Sequence, residues 1–476
     1  MMVIVRVLIV TSGSVGDIAP YTGLGARLRD AGHDVTVASH APFAATFASA
    51  GLPFQAIPGD LREILPQARG QDGRSSGTGP RALARLLQIA RPLINRLGDG
   101  IARAADETRP DVMLLSTVVA PLGYQVAEAR GIPWAGVFLQ PIAPTGDFGS
   151  VLLGGRSVGR HGNYAITWTA NQISQSLYAK PVQDLRRRLG LPHESIRELR
   201  TWQDAGRYPT FHGFSTAVVP RPRDWRPRLE VTGYWWPHSP TDWAPPPALH
   251  DFLAAGPPPV FIGFGSMAPA QGARLAPIIQ SAIRKAGVRA VIQAGWAGLT
   301  LNAHTSGVPS SKTNQADGER GSGGERGSGG ERGSGGDGDG GSGGGGERGG
   351  SGGGGGERGG DVFTIGEAPH DWLFPRMAAV VHHAGAGTTA AALRAGVPAV
   401  PVPVLADQPF WASRVHALGA GTRPIPMSRL TSDHLAAALT EATTNPHRRA
   451  RAEAIAARLS TEDGPSPILA WLDALK

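Results

Sequence analysis

Residues 380–398, VVHHAGAGTTAAALRAGVP, place two histidines, a glycine-rich turn and two threonines in an order that suits a diphosphate. An apolar strand runs into His382 and His383, and the pattern predicts a helix beginning near Thr388. The first turn of a helix carries backbone N–H groups without intrahelical partners and the positive end of the dipole, so it holds an anion well. Gly385 and Gly387 let the backbone approach closely, and Thr388 and Thr389 add hydroxyl donors. A histidine at the strand end can donate a ring N–H to a phosphate oxygen. Neighbouring residues on a strand point to opposite faces, so the two histidines cannot chelate one metal together. His383, beside the turn, is read as the phosphate contact and His382 as packing. Asp407 and Gln408 follow one strand later in PVPVLADQPFW, and the combination is far more specific than a glycine-rich turn alone.

A second constellation lies at residues 11–20, TSGSVGDIAP, where Asp17 sits in a glycine-rich turn after an apolar run. Open α/β sheets put ligand chemistry at the carboxyl ends of their strands, which makes Asp17 a candidate general base. The competing reading is that Asp17 only caps the helix that follows. The chain has no cysteine, which removes disulfides, thiolate metal sites and cysteine nucleophiles. The triplet DGD at 337–339 resembles a metal-binding motif but lies in a glycine-rich tract with no strand to position it, so neither a metal nor a resident cofactor is expected.

The elements that would position these residues follow from the hydrophobic rhythm. Short apolar runs alternate with longer amphipathic ones from residue 3 onward, and again from 111 to 139, as in a parallel sheet with crossover helices. Residues 1–222 are therefore read as one Rossmann-like domain, and the resemblance described below implies that it binds the acceptor while 260–476 binds the nucleotide sugar. The proline-dense stretch within 223–259 has the composition of a semi-rigid linker. A second α/β rhythm runs over 260–476, interrupted at 306–360 by an insert of Gly, Ser, Glu and Arg with too little apolar surface to fold. The expected architecture is α/β, with two facing Rossmann-like domains built on parallel sheets. Between residues 140 and 211 the chain is irregular and carries Phe148, Tyr164, Trp168 and Tyr178, which suits either a ligand-binding lid or ordinary packing under long loops.

The net charge of +8 comes from arginines spread along the chain without interleaved aromatics, so nucleic acid is not an expected partner. The apolar opening, MMVIVRVLIV, carries Arg6 and no small-residue cleavage site, so it reads as a buried strand. No window reaches the roughly 18 uninterrupted apolar residues of a transmembrane helix, and the expected location is cytoplasmic. At 81–105, leucines and isoleucines recur at near-helical spacing among arginines, which suits a helix of the first domain and leaves room for weak membrane-surface association.

The chain resembles the nucleotide-sugar glycosyltransferases that include sterol glucosyltransferases and the actinobacterial enzymes that decorate antibiotics. The likeness rests on GSVGDIAPYTGLGARLRDAGH (13–33), LQPIAPTGDF (139–148), VVPRPRDW (218–225), VTGYWWP (231–237), PPVFIGFGSM (258–267), residues 368–398 and DQPFWASRVHALG (407–419). It implies a GT-B fold and inverting, metal-independent transfer of a hexose, with glucose favoured, from a UDP- or TDP-sugar to an apolar, hydroxyl-bearing acceptor. It implies further that His383, Gly385, Gly387 and Thr388 hold the diphosphate with help from Ser266 and Ser14, and that Asp407 and Gln408 bind sugar hydroxyls. Ala368 would meet the nucleobase, and Trp296 would stand in for the stacking tryptophan that Glu367 replaces. Plant relatives place a ribose-binding glutamate where this chain has Ala390 and Ala391, which leaves uridine and thymidine both open. Asp17 aligns with the family's base, and Phe138, Gln140, Phe148 and Trp168 are assigned to the acceptor. Competing classes are a nucleotide-sugar epimerase, which would need several carboxylates in the cleft, and a non-catalytic auxiliary binder, which would lack the base.

Overall fold

The computed structural model describes residues 4–60, 80–194, 209–239, 243–265, 271–295, 299 and 360–475. The first half runs β1 (Arg6–Val10), α1 (Val15–Asp30), β2 (Asp34–Ser39), α2 (Ala44–Ser49), β3 (Phe54–Ala56), α3 (Pro80–Thr108), β4 (Val112–Leu115), α4 (Ala120–Arg130), β5 (Trp134–Phe138), α5 (Arg160–Ser176), α6 (Ala179–Arg188), β6 (Thr210–His212) and β7 (Leu229–Val231). The second runs α7 (Pro247–Ala254), β8 (Val260–Gly263), α8 (Gly272–Ala286), β9 (Ala290–Gln293), β10 (Val362–Ile365), α9 (His370–Leu373), β11 (Ala379–His382), α10 (Ala386–Arg394), β12 (Ala399–Pro401), α11 (Gln408–Ala417), α12 (Ser432–Thr444), α13 (Pro446–Leu459) and α14 (Ser466–Ala474).

Among the described residues the first sheet has the order β3-β2-β1-β4-β5-β6-β7 and the second β10-β9-β8-β11-β12, with parallel pairing throughout. These are two parallel-sheet α/β domains. Strands covered on both faces read as continuous apolar runs, which is why RVLIV and VMLL were legible as strands. The first sheet is sandwiched by two clusters, one joining Leu97, Ile101 and Leu122 to Leu8 and Leu115, the other joining Leu24, Leu28 and Phe47 to Ile9 and Leu114. The second sheet is covered by Leu275, Ile279, Leu435 and Leu439 on one face and by Leu249, Phe374 and Ala392 on the other. A further cluster sets Phe214, Trp225 and Tyr234 of the first domain against Leu393, Phe410 and Trp411 of the second.

Two elements cross the boundaries that composition suggested. Strand β7 lies within the stretch read as linker yet pairs with β6 to extend the first sheet beyond residue 222. Three half-buried residues among prolines carry too little pattern to separate a strand from a linker. Helix α14 returns to the first domain, burying Ile468 and Leu472 in its core and setting Trp471 5.9 Å from Phe211.

From Ala90 onward the apolar face of α3, including Leu93, Ile94, Leu97 and Ile101, is buried in the first domain, so this stretch of the helix has no apolar face to offer a membrane. No helix among the described residues is long and apolar enough to cross one. Ser266, Trp296 and the insert at 306–360, except Gly360, lie outside the described residues.

Candidate active site

Each sheet reverses its strand order once, between β1 and β4 in the first and between β8 and β11 in the second. Crevices for ligands open at such switch points, beyond the carboxyl ends of the strands. The first turn of α1, just after β1, carries Asp17, and the turn after β11 carries His383. The two turns face each other: a Cβ added to Gly387, at the start of α10, would lie 3.6 Å from the Gly16 carbonyl oxygen at the start of α1.

Ser14 is the N-cap residue of α1, and Asp17, its N3 residue, closes a capping box with it. The Asp17 Oδ2 accepts from the Ser14 backbone N–H at 2.9 Å and from the Ser14 hydroxyl at 2.8 Å. Ser14 thus serves the carboxylate rather than standing free for the donor. The side chain lies over Gly13, whose φ is +149° and whose added Cβ would fall 2.8 Å from Oδ2, so any other residue there would push the carboxylate away. The other oxygen, Oδ1, lies 3.4 Å from the donating Nε2 of Gln140.

His382 and His383 lie in different surroundings. His382 is buried, and its Nδ1 accepts from the Ala384 N–H at 3.1 Å, which fixes the turn in which Ala384 takes a left-handed φ of 63°. Burial pushes its imidazole down to about 3. His383 lies between two glycines, with Cε1 3.6 Å from an added Gly265 Cβ and Nε2 2.5 Å from an added Gly385 Cβ. Burial, helped by His370, pushes its imidazole down to about 4, so it is neutral near pH 7 and carries one ring N–H. Its Nδ1, like the Nε2 of His382, is buried with no hydrogen-bond partner among the described residues. Helix α10 starts at Ala386, two residues earlier than expected, with Gly385 as its N-cap, so Gly387 and Thr388 fall in its first turn. Thr389 is buried, with its hydroxyl unpaired.

Asp407 precedes α11 and follows Ala406, another non-glycine residue with a left-handed φ, here 58°. Strain of this kind collects at functional sites. The Asp407 Oδ2 accepts from Trp411 Nε1 at 2.9 Å. Burial first, and then the nearby charge of Asp17, push its carboxyl up to about 6. Gln408 is buried, and its carbonyl oxygen accepts from the Val404 and Leu405 N–H groups at 2.8 and 3.2 Å, so this atom braces its own loop and does not face a sugar. Ala368 packs against the cluster around Phe363 and Phe374. Among the described residues no group of three His, Asp or Glu side chains could hold a metal ion.

A cavity of about 470 Å³ runs from Asp17 and Asp407 into the first domain. Its walls are mostly apolar, with Tyr21, Val118, Phe138, Ile142, Tyr178 and Val182 among them, and it suits a bulky apolar molecule with one end at Asp17. Of the residues assigned to the acceptor, Phe138 and Gln140 line it. Phe148 does not; its ring packs 5.3 Å from Phe410 in the interdomain cluster. Trp168 does not either, since it lies 47% exposed on α5. Aromatic composition marked the right segment without telling which face of α5 turns inward. That segment partly covers the cavity, through Asn171, Ser174 and Gln175 of α5 and Tyr178 after it. Also unforeseen were Ser12, whose hydroxyl lies 2.7 Å from His40 Nε2, and Ser116 at the end of β4. His40 Nδ1 is 3.1 Å from the Ile57 carbonyl, which can only accept, so Nε2 accepts from Ser12. Ser12 was visible in the turn motif, but His40 carried no local signal.

The glycosyltransferase family 28 N-terminal domain matches residues 7–133, and the erythromycin biosynthesis protein CIII-like C-terminal domain matches residues 357–475. Those matches, on two facing parallel-sheet domains, define a glycosyltransferase of the GT-B type. The chain is 31% identical to the O-mycaminosyltylonolide 6-deoxyallosyltransferase of Streptomyces fradiae, over 98% of each protein. It is 29% identical to a sterol 3-beta-glucosyltransferase of Arabidopsis thaliana, over 96% of this chain and 64% of that protein. The chain belongs to the glycosyltransferase family that includes these antibiotic and sterol enzymes. Among solved structures, the glycotransferase of kitacinnamycin matches with a TM-score of 0.64 at 17% identity, covering 100% of this chain and 99% of that one. The Streptomyces sp. SF2575 glycosyltransferase SsfS6, solved with thymidine diphosphate, matches with a TM-score of 0.58 at 21% identity, covering 99% of each.

Proposed function

We propose that the chain moves a hexose, glucose in the first instance, from a nucleoside diphosphate sugar to a hydroxyl of an apolar sterol-like or polyketide-like acceptor, with inversion and without a metal. The observation that carries this reading is the apolar cavity that ends at Asp17, directly across the cleft from Asp407 and the His383 turn. Asp17 accepts the proton of the acceptor hydroxyl through Oδ1 while that oxygen attacks the anomeric carbon. The bond from that carbon to the diphosphate oxygen breaks as the new one forms, and the diphosphate leaves with the electron pair. The N–H groups at the start of α10 and the ring N–H of His383 take up its growing charge, being already in place before charge develops. One displacement inverts the centre. Asp407, ionised, accepts from the sugar hydroxyls and fixes the face presented to the acceptor.

The relatives' names support an apolar polycyclic or macrocyclic acceptor, since one is a sterol glucosyltransferase and another acts on O-mycaminosyltylonolide. Their sugars differ, so the donor is the finer point to test. A thermal-shift panel of UDP- and TDP-sugars identifies it, because a donor at 100 times its dissociation constant stabilises by about 2.7 kcal/mol. The winning donor is then incubated with sterol and macrolide alcohols, and both nucleoside diphosphate release and the anomeric configuration of the product are read. Acceptor-dependent release with an inverted product supports the proposal. Epimerised donor without release, or binding without turnover, would replace it with an epimerase or an auxiliary binder.

A further inference from the structure

Ser12 and Ser116 stand on adjacent strand ends, in the wall of the same cavity that reaches Asp17. Val10 of β1 pairs with Leu115 of β4, and the Ser116 N–H continues the ladder to the Val10 carbonyl at 3.0 Å. Both serines are buried. Ser12 also belongs to the turn that leads to Asp17, since Gly13, next in sequence, lies under the Asp17 carboxylate.

The direction of the hydrogen bonds here is fixed from behind the wall. His40, itself buried, gives its Nδ1 proton to the Ile57 carbonyl at 3.1 Å, and its Nε2 accepts the Ser12 hydroxyl proton at 2.7 Å. Ser12 therefore has only lone pairs to offer the cavity. Tyr21 is committed in the same way, its hydroxyl donating to the Val137 carbonyl at 2.7 Å. The Ser116 hydroxyl lies beside Tyr21 but forms no well-aligned hydrogen bond, which leaves its proton for a ligand. A ligand hydroxyl can satisfy both serines, donating to Ser12 Oγ and accepting from Ser116 Oγ. A ketone or a methyl ether sets lone pairs against those of Ser12, and a bare methylene leaves both oxygens buried without a partner, which weakens binding.

We propose that Ser12, oriented by His40, and Ser116 form a subsite for a second hydroxyl of the acceptor, so that the acceptor is a diol or polyol with one hydroxyl at Asp17 and a neighbouring one at the serines. This rests on the function proposed above and narrows its acceptor. A polyhydroxylated, polyketide-like molecule meets the requirement, whereas a sterol whose single hydroxyl is the reacting one does not. Ser12 and Ser116 set specificity, and His40 is a positioning residue that acts through Ser12.

The test uses matched rigid alcohols: androstan-17β-ol, its 16α,17β-, 16β,17β- and 15β,17β-diols and its 16-oxo derivative, together with 2-naphthol, naphthalene-2,3-diol and 3-methoxy-2-naphthol. Binding to the full chain is measured by equilibrium dialysis, with the bound alcohol read by mass spectrometry. In at least one scaffold a diol should bind about 3- to 10-fold more tightly than the mono-alcohol, the size of one neutral hydrogen bond, and the ketone or methyl ether should bind no better than the mono-alcohol. Ser12→Ala should weaken the diol by a similar factor and the mono-alcohol much less. Ser116→Ala, which removes a hydroxyl without a well-aligned partner, should do the same and keeps the test open if Ser12→Ala fails to fold. Equal affinity for diol and mono-alcohol in both scaffolds, or no binding of any diol, overturns the proposal. So does an equal loss for diol and mono-alcohol in Ser12→Ala, which would make the bond to His40 a brace for the turn and nothing more. A preference for the diol without sugar transfer from any donor would refute the function reading and leave the subsite standing.

Discussion

Gly385→Ala isolates the placement of one ring. Gly385 has φ −64° and ψ 151°, open to any residue, so alanine adds no backbone strain and even restricts the unfolded chain slightly. Its methyl group would fall 2.5 Å from Nε2, 3.2 Å from Cδ2 and 3.5 Å from Cε1 of His383. Ordinary contact needs about 3.5–4.0 Å, so the imidazole must retreat by roughly 1 Å. A hydrogen bond to a charged group contributes about 1.5–3 kcal/mol, and losing it corresponds to roughly a 10- to 150-fold rise in Kd. Calorimetric titration with UDP and TDP should show that loss for whichever diphosphate binds, with a much smaller one for the nucleoside alone and a melting temperature near that of the unmodified protein. In a His383→Ala background the same substitution should add almost nothing, because the ring it displaces is gone. A Kd within twofold of the original would refute the assignment of His383 to the diphosphate. An equal penalty in both backgrounds would show that the methyl group acts on something other than the ring.

Asp17→Asn should lower turnover by roughly 10²- to 10⁴-fold while calorimetry finds donor affinity nearly unchanged, since only proton transfer in the transition state is removed; undiminished turnover would eliminate Asp17 as the base. Asp407, pushed up to about 6, favours the protein below the ordinary carboxyl range and loses that contribution as pH rises through about 6, whereas its bond to the sugar needs the ionised form. The affinity advantage of the intact donor over the free diphosphate should therefore grow between pH 5 and 7.5, a rise that Asp407→Asn abolishes; a flat difference in the unmodified protein would detach Asp407 from the sugar. EDTA should leave turnover intact, and a loss that added Mg²⁺ restored would overturn the leaving-group site built from backbone donors and His383.

The sites divide by range of interaction. His383, Gly385 and Gly387 were legible because strand, turn and helix follow within one short stretch, and the chemistry of the turn depends on neighbours in sequence. Asp17 was legible for the same reason, though its partner Ser14 shows that it both braces the helix start and faces the cavity. Trp168 was misleading because residue type does not say which way a side chain turns, and it faces solvent; for Gln408 only the structure shows that its carbonyl oxygen braces its own loop. His40 was out of reach, since its bond to Ser12 spans 28 residues with no shared pattern.

By itself the sequence determined the two α/β halves, the two glycine-rich turns at their strand ends and the family, since apolar runs and glycine-rich turns act over a few residues. Tertiary structure alone decided that β7 completes the first sheet, that α14 crosses back to bury Ile468 and Leu472 there, and that Asp17 and Asp407 line one cavity. An apolar helix face carries no address, and α14 could bury its stripe on either sheet until the chain's path brings one within reach. The cavity end shared by Asp17 and Asp407 exists only where the two domains face each other, and no stretch of sequence holds both of its walls.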